Sequence, residues 1–293
     1  MAANGISTLA TKELRQKAKL ELAAANRLAI GRPNIYDAAQ LPNRYEGNSA
    51  GTDYFTADLL VGRPWTLVTA SELKAHWDPA DYSGTGTLAD KSGTSNVGTL
   101  VGTPTFDSNN GYFTLDGVND YIRSGNLLSA IGSPDTFTAE VWIYPTNLGV
   151  VLSITNTTTP ATSYHFSAME FTNSGGKPLP GFGIWNAGIV SDTGTALEFN
   201  TWYQMTITYD AVTTTMKGYV NGAEVASASV TFDSPTDGAE TEHYLLFGAT
   251  ADTNQGDGTY FNGRMGIIRI YNKALSPAEV TTNYNANKDR YGM

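Results

Sequence analysis

Residues 137–145 read FTAEVWIYP. Phe137, Ala139, Val141 and Ile143 alternate with Thr138, Glu140, Trp142 and Tyr144, and Pro145 ends the run. Successive side chains of a strand point to opposite faces, so a period of two predicts a strand laid against a core. The same texture returns at WYQMTITY (202–209) and MKGYV (216–220). Asn221-Gly222 then supplies the strongest two-residue hairpin signal in the chain, because the favoured turn needs positive φ at both central positions. It leads into Ala223–Val225, and Tyr244–Gly248 and Met265–Tyr271 add further strands. Many short strands with turns at short intervals predict a mainly β, antiparallel two-sheet sandwich of the jelly-roll type over residues 71–293. Ser276-Pro277-Ala278-Glu279 is a capping box with Pro at the first helical position, which predicts a short helix over 277–287 with Val280 and Tyr284 on one face.

Residues 1–70 have another character. Leu14, Ala18, Leu22, Ala25 and Ala29 recur at helical spacing, with Lys12, Arg15, Lys17, Lys19 and Arg27 on other faces, and Gly31 and Pro33 follow as stop signals. The pattern predicts a helix over about 11–30. Its apolar stripe is narrow and rich in alanine, so this helix needs a partner surface. Residues 31–70 hold neither period, yet Ile35, Tyr36, Leu41, Tyr45, Tyr54, Phe55, Leu59, Leu60 and Trp65 give them too much apolar surface for a free tail. An extended arm ordered by contacts with another surface is expected, and the whole of 1–70 reads as an attachment segment.

Composition excludes several functions. The 293 residues carry 18 Lys+Arg against 28 Asp+Glu, a net charge of −10. The excess is uneven: residues 1–70 hold 8 basic and 6 acidic side chains, residues 71–293 hold 10 and 22. Such a chain offers no footprint for a phosphate backbone, so no nucleic-acid partner is expected. With no cysteine there are no disulfides, iron–sulfur clusters or thiolate zinc sites, and His76, His165 and His243 fall in no zinc-hydrolase motif. No apolar run approaches 18 residues, and the opening MAANGISTLATKELRQ lacks the order of a secretory signal, so neither a membrane partner nor a signal peptide is expected.

Segments in the acidic part resemble a known family. LKAHWDPADYSGTGTLADKSGTSNVGTLVGTPTF (73–106), LDGVNDYI (115–122), FTAEVWIYP (137–145), WYQMTITYD (202–210), GYVNGAEV (218–225) and FNGRMGIIRIYNKALSPAEV (261–280) are similar, in order, to the laminin-G-like, concanavalin A-type jelly roll. The resemblance implies that fold throughout 71–293 and places Trp142 and Trp202 in the core or at its edge. Within residues 1–70, ISTLATKELRQKAKLELA (6–23), LPNRYEGN (41–48) and GRPW (62–65) resemble the amino-terminal segment of virion structural proteins from tailed phages of marine cyanobacteria. That implies assembly in the host cytoplasm, release by lysis and a virion location, which accounts for an extracellular type of domain without signal peptide or cysteine.

Polysaccharide-cleaving relatives of this fold need two carboxylates about 5–9 Å apart on one face, as acid and as nucleophile or base. No Glu-x-Asp-x-x-Glu run exists; Glu140 has no second acid nearby in sequence, and Glu240 and Glu242 sit in a loop-like stretch. Gly47-Asn48-Ser49-Ala50-Gly51 matches a nucleophile elbow but lies in loop-like sequence, where the match is accidental. No enzyme is expected. For glycan binding, aromatic rings stack on sugar faces beside polar acceptors, which makes Trp185, Asn186, Asn254 and Tyr260 the candidates. Calcium is the one candidate cofactor, because oxygen-rich rim loops of these sandwiches hold it with six to eight oxygens. Asp116, Asn119 and Asp120 form one candidate cluster, and Asp252, Asn254 and Asp257 another. The family resemblance implies an Asp in a Gly-x-Ile-Asp pattern where this chain has Gly266, which argues against a metal site of the family's type.

The expectation is therefore a non-enzymatic virion structural protein (a fibre, neck or decoration component). Residues 1–70 bind other virion proteins or a homo-oligomeric bundle, most simply a trimer, and the jelly roll displays toward host-surface glycan. The alternative is a free carbohydrate-binding, lectin-like module.

Overall fold

The computed structural model describes residues 72–127, 136–156, 158–159, 165–184, 189–191, 196–230, 243–250 and 260–293. The attachment helix with Leu14, Ala18, Leu22, Ala25 and Ala29 and the arm to residue 70 lie outside these. The described chain runs β1 Leu73–Trp77, β2 Thr99–Val101, β3 Thr105–Asp107, β4 Tyr112–Asp116, β5 Tyr121–Arg123, β6 Phe137–Pro145, β7 Gly149–Thr155 and β8 His165–Ser174. It continues through β9 Lys177–Gly183, β10 Ile189–Ser191, β11 Tyr203–Asp210, β12 Thr215–Val220, β13 Ala223–Ser229, β14 Tyr244–Phe247 and β15 Asn262–Tyr271, and then helix α1 Pro277–Asn287 and a 3-10 turn Lys288–Tyr291. The strands form two antiparallel sheets. One follows the order β13-β12-β11-β6-β15-β4-β3 with β1 also on β15, and the other β10-β9-β8-β7-β14-β5-β2. The mainly β two-sheet jelly roll is the architecture the alternation in 137–145 calls for.

Each sheet turns one face inward. Phe113, Leu115, Val141, Ile143, Met205, Ile207 and Ile268 from the eight-stranded sheet meet Ile122, Leu152, Met169, Phe182, Leu245 and Phe247 from the seven-stranded one. Trp77 on β1 and Phe247 on β14 touch edge to face across the gap, with centroids 5.9 Å apart. The predicted hairpin joins β12 to β13, with Asn221 at φ 52° and Gly222 at φ 79°, the left-handed pair that this turn demands.

The alternation in β6 leads to one inward face, yet the structure buries both. Thr138, Glu140 and Trp142 point outward; α1 and the turn after it cover Glu140 and Trp142, while Thr138 bonds the segment before α1, its hydroxyl donating to the Lys273 carbonyl at 2.6 Å and accepting from the Leu275 N–H at 2.9 Å. The capping box forms as predicted: Ser276 Oγ accepts from the Glu279 N–H, and Glu279 Oε2 accepts from the Ser276 N–H at 2.8 Å. The buried residues of α1 are Val280, Asn283 and Asn287, so only one aliphatic side chain anchors it. A buried valine contributes about 1.5–3 kcal/mol, and the remaining adhesion is polar and aromatic. Arg269 on β15 donates to Glu140 at 2.6 Å and to Asn287 at 3.3 Å, while Asn283 donates to the other Glu140 oxygen at 2.9 Å. Trp142 stacks on Tyr291 at 4.2 Å and on Tyr284 at 5.7 Å. Arg290 then ties the turn to Asp78 at 2.6 Å and to the Gly111 carbonyl at 2.8 Å. Among the described residues no helix is long and apolar enough to cross a membrane.

Glu140→Ala leaves the Arg269 charge buried and uncompensated, and urea unfolding should show a loss of about 3–5 kcal/mol. The paired replacement Glu140→Met with Arg269→Leu should cost less than the sum of its two single changes, and a cost equal to that sum would show that the pair is not coupled. His76, opposite Arg269 in the β1–β15 pairing, has its pKa lowered from 6.5 to about 3, first by burial and then by Arg269, against the opposing pull of Asp78 and Asp90 and with Lys91 adding to the fall. The unfolded chain thus binds a proton below pH 6.5 that the folded chain refuses until about 3, so stability falls as pH drops through that window. Melting curves from pH 7 to pH 4 should show this decline in the native chain and a shallower one in His76→Gln.

Candidate functional site

Strand register sorts the seven-stranded sheet into two faces. Ile122, Leu245 and Phe247 belong to the core, so their alternates Tyr121, Arg123, Tyr244 and Leu246 point away from it. The pairings Leu246 with Arg123 and Tyr244 with Thr155 bring these side chains into one outer patch. Tyr260 reaches the patch through an antiparallel bridge to Ala249, and its ring lies 6.4 Å from that of Tyr121 at a tilt of 36°. The Arg123 guanidinium sits 5.9 Å from the Tyr244 ring and donates to the Thr158 carbonyl at 2.8 Å, an oxygen that also accepts from the Tyr121 hydroxyl at 3.4 Å. Tyr121 and Tyr244 are buried, whereas Tyr260 and Arg123 keep part of their surface in solvent. Burial pushes the Tyr121 phenol above its usual range, so it stays a neutral hydroxyl. Farther along the same sheet Ser153 pairs with Ser167, and Glu170, in the partly buried part of β8, is held above the ordinary carboxylate range by desolvation.

Of the sequence-predicted glycan residues, Tyr260 is placed in this patch, and Trp185, Asn186 and Asn254 lie outside the described residues. Tyr121, Arg123 and Tyr244 were not singled out from the sequence. The signal for the first two was present, since Tyr-Ile-Arg at 121–123 alternates around a core isoleucine, but three residues are too short a run to assign faces.

The first candidate calcium cluster occupies the turn from β4 to β5. Asp116 Oδ1 accepts from the Val118 and Asn119 N–H groups at 2.8 and 3.3 Å. These bonds hold its carboxyl below the usual range, with Val118 the largest cause. Asp120 is buried, accepting from the Thr103 N–H at 2.6 Å and from the Asp116 N–H at 3.2 Å. Both carboxylates thus serve backbone donors, those of the turn itself and of Thr103 beside it, the ordinary work of Asp in loops. The second cluster, Asp252, Asn254 and Asp257, lies outside the described residues. Among the described residues no group of three His, Asp or Glu is placed to hold a metal ion. Gly266 has a steric reason: a Cβ there would stand 2.1 Å from the Tyr291 hydroxyl, which accepts from the Ile267 N–H at 2.9 Å. Tyr291 fills the space that a side chain at 266 would need. Trp142 is fully buried beneath the helix and Trp202 lies at the rim of the same cluster, as the family resemblance implies.

The laminin G profile described as the concanavalin A-like lectin/glucanases superfamily matches residues 116–281. The chain belongs to this superfamily. Strands β1 to β3 and most of β4 precede the matched stretch, yet they pair into the same two sheets, so this concanavalin A-like domain begins earlier than the match. Among solved structures, domain 4 of the extracellular arabinanase AbnA from Geobacillus stearothermophilus, in complex with arabinotriose, is 20% identical over 73% of this chain and 98% of its own, with a TM-score of 0.52. Trypanosoma rangeli sialidase in complex with sialic acid is 14% identical over 76% of this chain, with a TM-score of 0.55. The type C botulinum neurotoxin, in a structure concerned with its two ganglioside molecules, is 14% identical over 74% of this chain, with a TM-score of 0.50. This chain spans only 34% of the sialidase chain and 51% of the neurotoxin chain. At these identities the likeness is one of fold. No curated protein sequence matches the chain.

The Gly266 geometry gives a test against a metal site of the family's type. Gly266→Asp must displace Tyr291 from Trp142, and overpacking of this kind costs about 1–3 kcal/mol. The variant should melt at a lower temperature, with or without added calcium; a calcium-dependent rise of its melting temperature above that of the native chain would contradict this account.

Proposed function

We propose that this protein is a non-enzymatic virion structural component in which residues 1–70 attach to other virion proteins and the concanavalin A-like domain binds host-surface glycan through the outer face of its seven-stranded sheet. The observation that carries the binding half is the Tyr260 patch. It offers one part-exposed ring backed by Tyr121, with the Arg123 guanidinium and the Thr158 carbonyl alongside, the mixture of flat apolar surface and directed polar groups that sugars require. The arabinanase domain, sialidase and neurotoxin structures, each described with a saccharide or ganglioside, lend support through their shared fold. The lone Glu170 on that sheet, without a second carboxylate beside it in β8, favours binding over glycoside cleavage.

The virion half is supported by the resemblance of 6–23, 41–48 and 62–65 to phage attachment segments. The narrow stripe of Leu14, Ala18, Leu22, Ala25 and Ala29 suits a homo-oligomeric bundle, most simply a trimer. The acidic balance of residues 71–293 keeps a displayed domain soluble and repels negatively charged surfaces. A free lectin-like module is the second reading, favoured if the sugar-binding domain works without its first 70 residues.

Glycan arrays with the full chain test the first half. Saturable binding is expected, and Tyr260→Ala should weaken it about tenfold, equivalent to about 1.4 kcal/mol. Binding indifferent to this change would remove the patch from the reading. Immunogold labelling of phage particles with antibody to 71–293 tests the second half: label on particles is expected, lost on deletion of residues 1–30, and particles free of label would leave the lectin-like module.

A further inference from the structure

A second aromatic surface lies on the opposite sheet. Tyr144 on β6, Arg264 on β15 and Thr114 on β4 stand in one row of register on the outer face of the eight-stranded sheet, beyond the part covered by α1. The Arg264 guanidinium is 4.8 Å from the centre of the Tyr112 ring and 4.5 Å from that of Tyr144. Trp202 leans on both tyrosines at 5.6 Å and is backed by Tyr291 at 4.5 Å. Tyr112, Tyr144, Trp202 and Arg264 are all part-exposed.

Arg264 differs from the other described arginines. Arg123 donates to a carbonyl, Arg269 to Glu140 and Arg290 to Asp78, whereas the contacts of Arg264 are with the two rings. The acids on the strands around it are occupied: Glu140 on β6 pairs with Arg269, Asp116 on β4 accepts from its own turn, and Asp107 on β3 accepts from Asn109, from Asn110 and from the Tyr112 hydroxyl. Contact with ring faces does not use up the N–H edge of a guanidinium, which carries up to five donors in a fixed fork. That edge matches a carboxylate with two parallel hydrogen bonds. The rings beside it offer flat apolar surface for the C–H face of a sugar. In a chain with a net charge of −10, an arginine so held, and in no ion pair among the described residues, is a local cation in an acidic surround.

We infer that Arg264, Tyr112, Tyr144 and Trp202 form a second ligand site, on the face opposite the Tyr260 patch, that takes a carboxylate-bearing sugar such as a uronate. The carboxylate sits on the guanidinium edge, and the ring lies along Trp202 and one tyrosine. This site is independent of the Tyr260 patch and would stand if the glycan reading of that patch fell.

Titration calorimetry on the full chain, with trigalacturonate as probe and galactotriose as its neutral counterpart, tests the inference. Trigalacturonate should bind at least about tenfold more tightly than galactotriose, and Arg264→Gln should remove that difference, because one charge-assisted fork is worth about that factor. Tyr260→Ala should leave uronate binding unchanged, and uronate should quench tryptophan fluorescence in the native chain but much less in Trp202→Phe. Arg264→Lys, which keeps the cation and the stem but not the fork, should bind weakly; it serves in place of Arg264→Gln should that variant lose its native melting transition. No saturable uronate binding overturns the inference. So does uronate binding that survives Arg264→Gln, or that is lost in Tyr260→Ala alone. Binding of hexaglutamate but not of uronate, dependent on Arg264, would also overturn it and assign the surface to an acidic peptide.

Discussion

The contact between Glu140 and Arg269 holds the most consequential position in this domain. It joins the two central strands of the eight-stranded sheet on the side away from the core, where both side chains are almost wholly out of water. Burial alone would lower the Arg269 pKa, yet the adjoining carboxylate holds it above its usual value, so the guanidinium stays charged. An ionic pair there needs a roof that can hydrogen-bond to it, and α1 provides one through Asn283 and Asn287 rather than through leucines. The low apolar content of PAEVTTNYNAN thus reflects what lies beneath it. Tyr284 and Tyr291 complete the roof by stacking on Trp142, and the same Tyr291 excludes a side chain at 266 and supports Trp202. One buried charge pair therefore reaches, through a helix and a tyrosine, to the Arg264 surface.

The fold was legible because its signals are local. Period two in 137–145, the Asn221-Gly222 turn and the Ser276–Glu279 box each act within a few residues, and each formed where it was read. The outward burial of Glu140 and Trp142 was not legible, since it depends on a helix some 140 positions away that packs by asparagine and tyrosine. The site was less legible for a related reason. Tyr260 was picked out by residue type and context, but Tyr121, Arg123 and Tyr244 meet it through strand pairing that no spacing announces. Arg264 was read only as part of a family motif, and its isolation from carboxylates becomes visible once the neighbouring acids are seen engaged elsewhere. Asp116 and Asp120 show the opposite case: their residue type fitted a metal, and their geometry fitted a turn.

Membership of the concanavalin A-like superfamily explains the sandwich and leaves the chemistry to particular residues. The two outer faces differ in kind. One presents tyrosines against a carbonyl-bonded arginine, the other an arginine clasped between tyrosines, so surfaces of similar composition have different hydrogen-bonding capacity.

The placement of β15 bears on how the domain is made. Strand β6 pairs on one side with β11 and on the other with β15, and β15 in turn receives β1, with Leu73 opposite Tyr271. During synthesis the middle of this sheet stays open until residues 262–271 have left the ribosome, although strands on both sides of the gap are already present. Closure across nearly 200 residues is a slow, non-local event. In the interval the Glu140 carboxylate and the edge of β6 are unpartnered, so the nascent chain has most to gain from chaperone protection just before its sheet is completed.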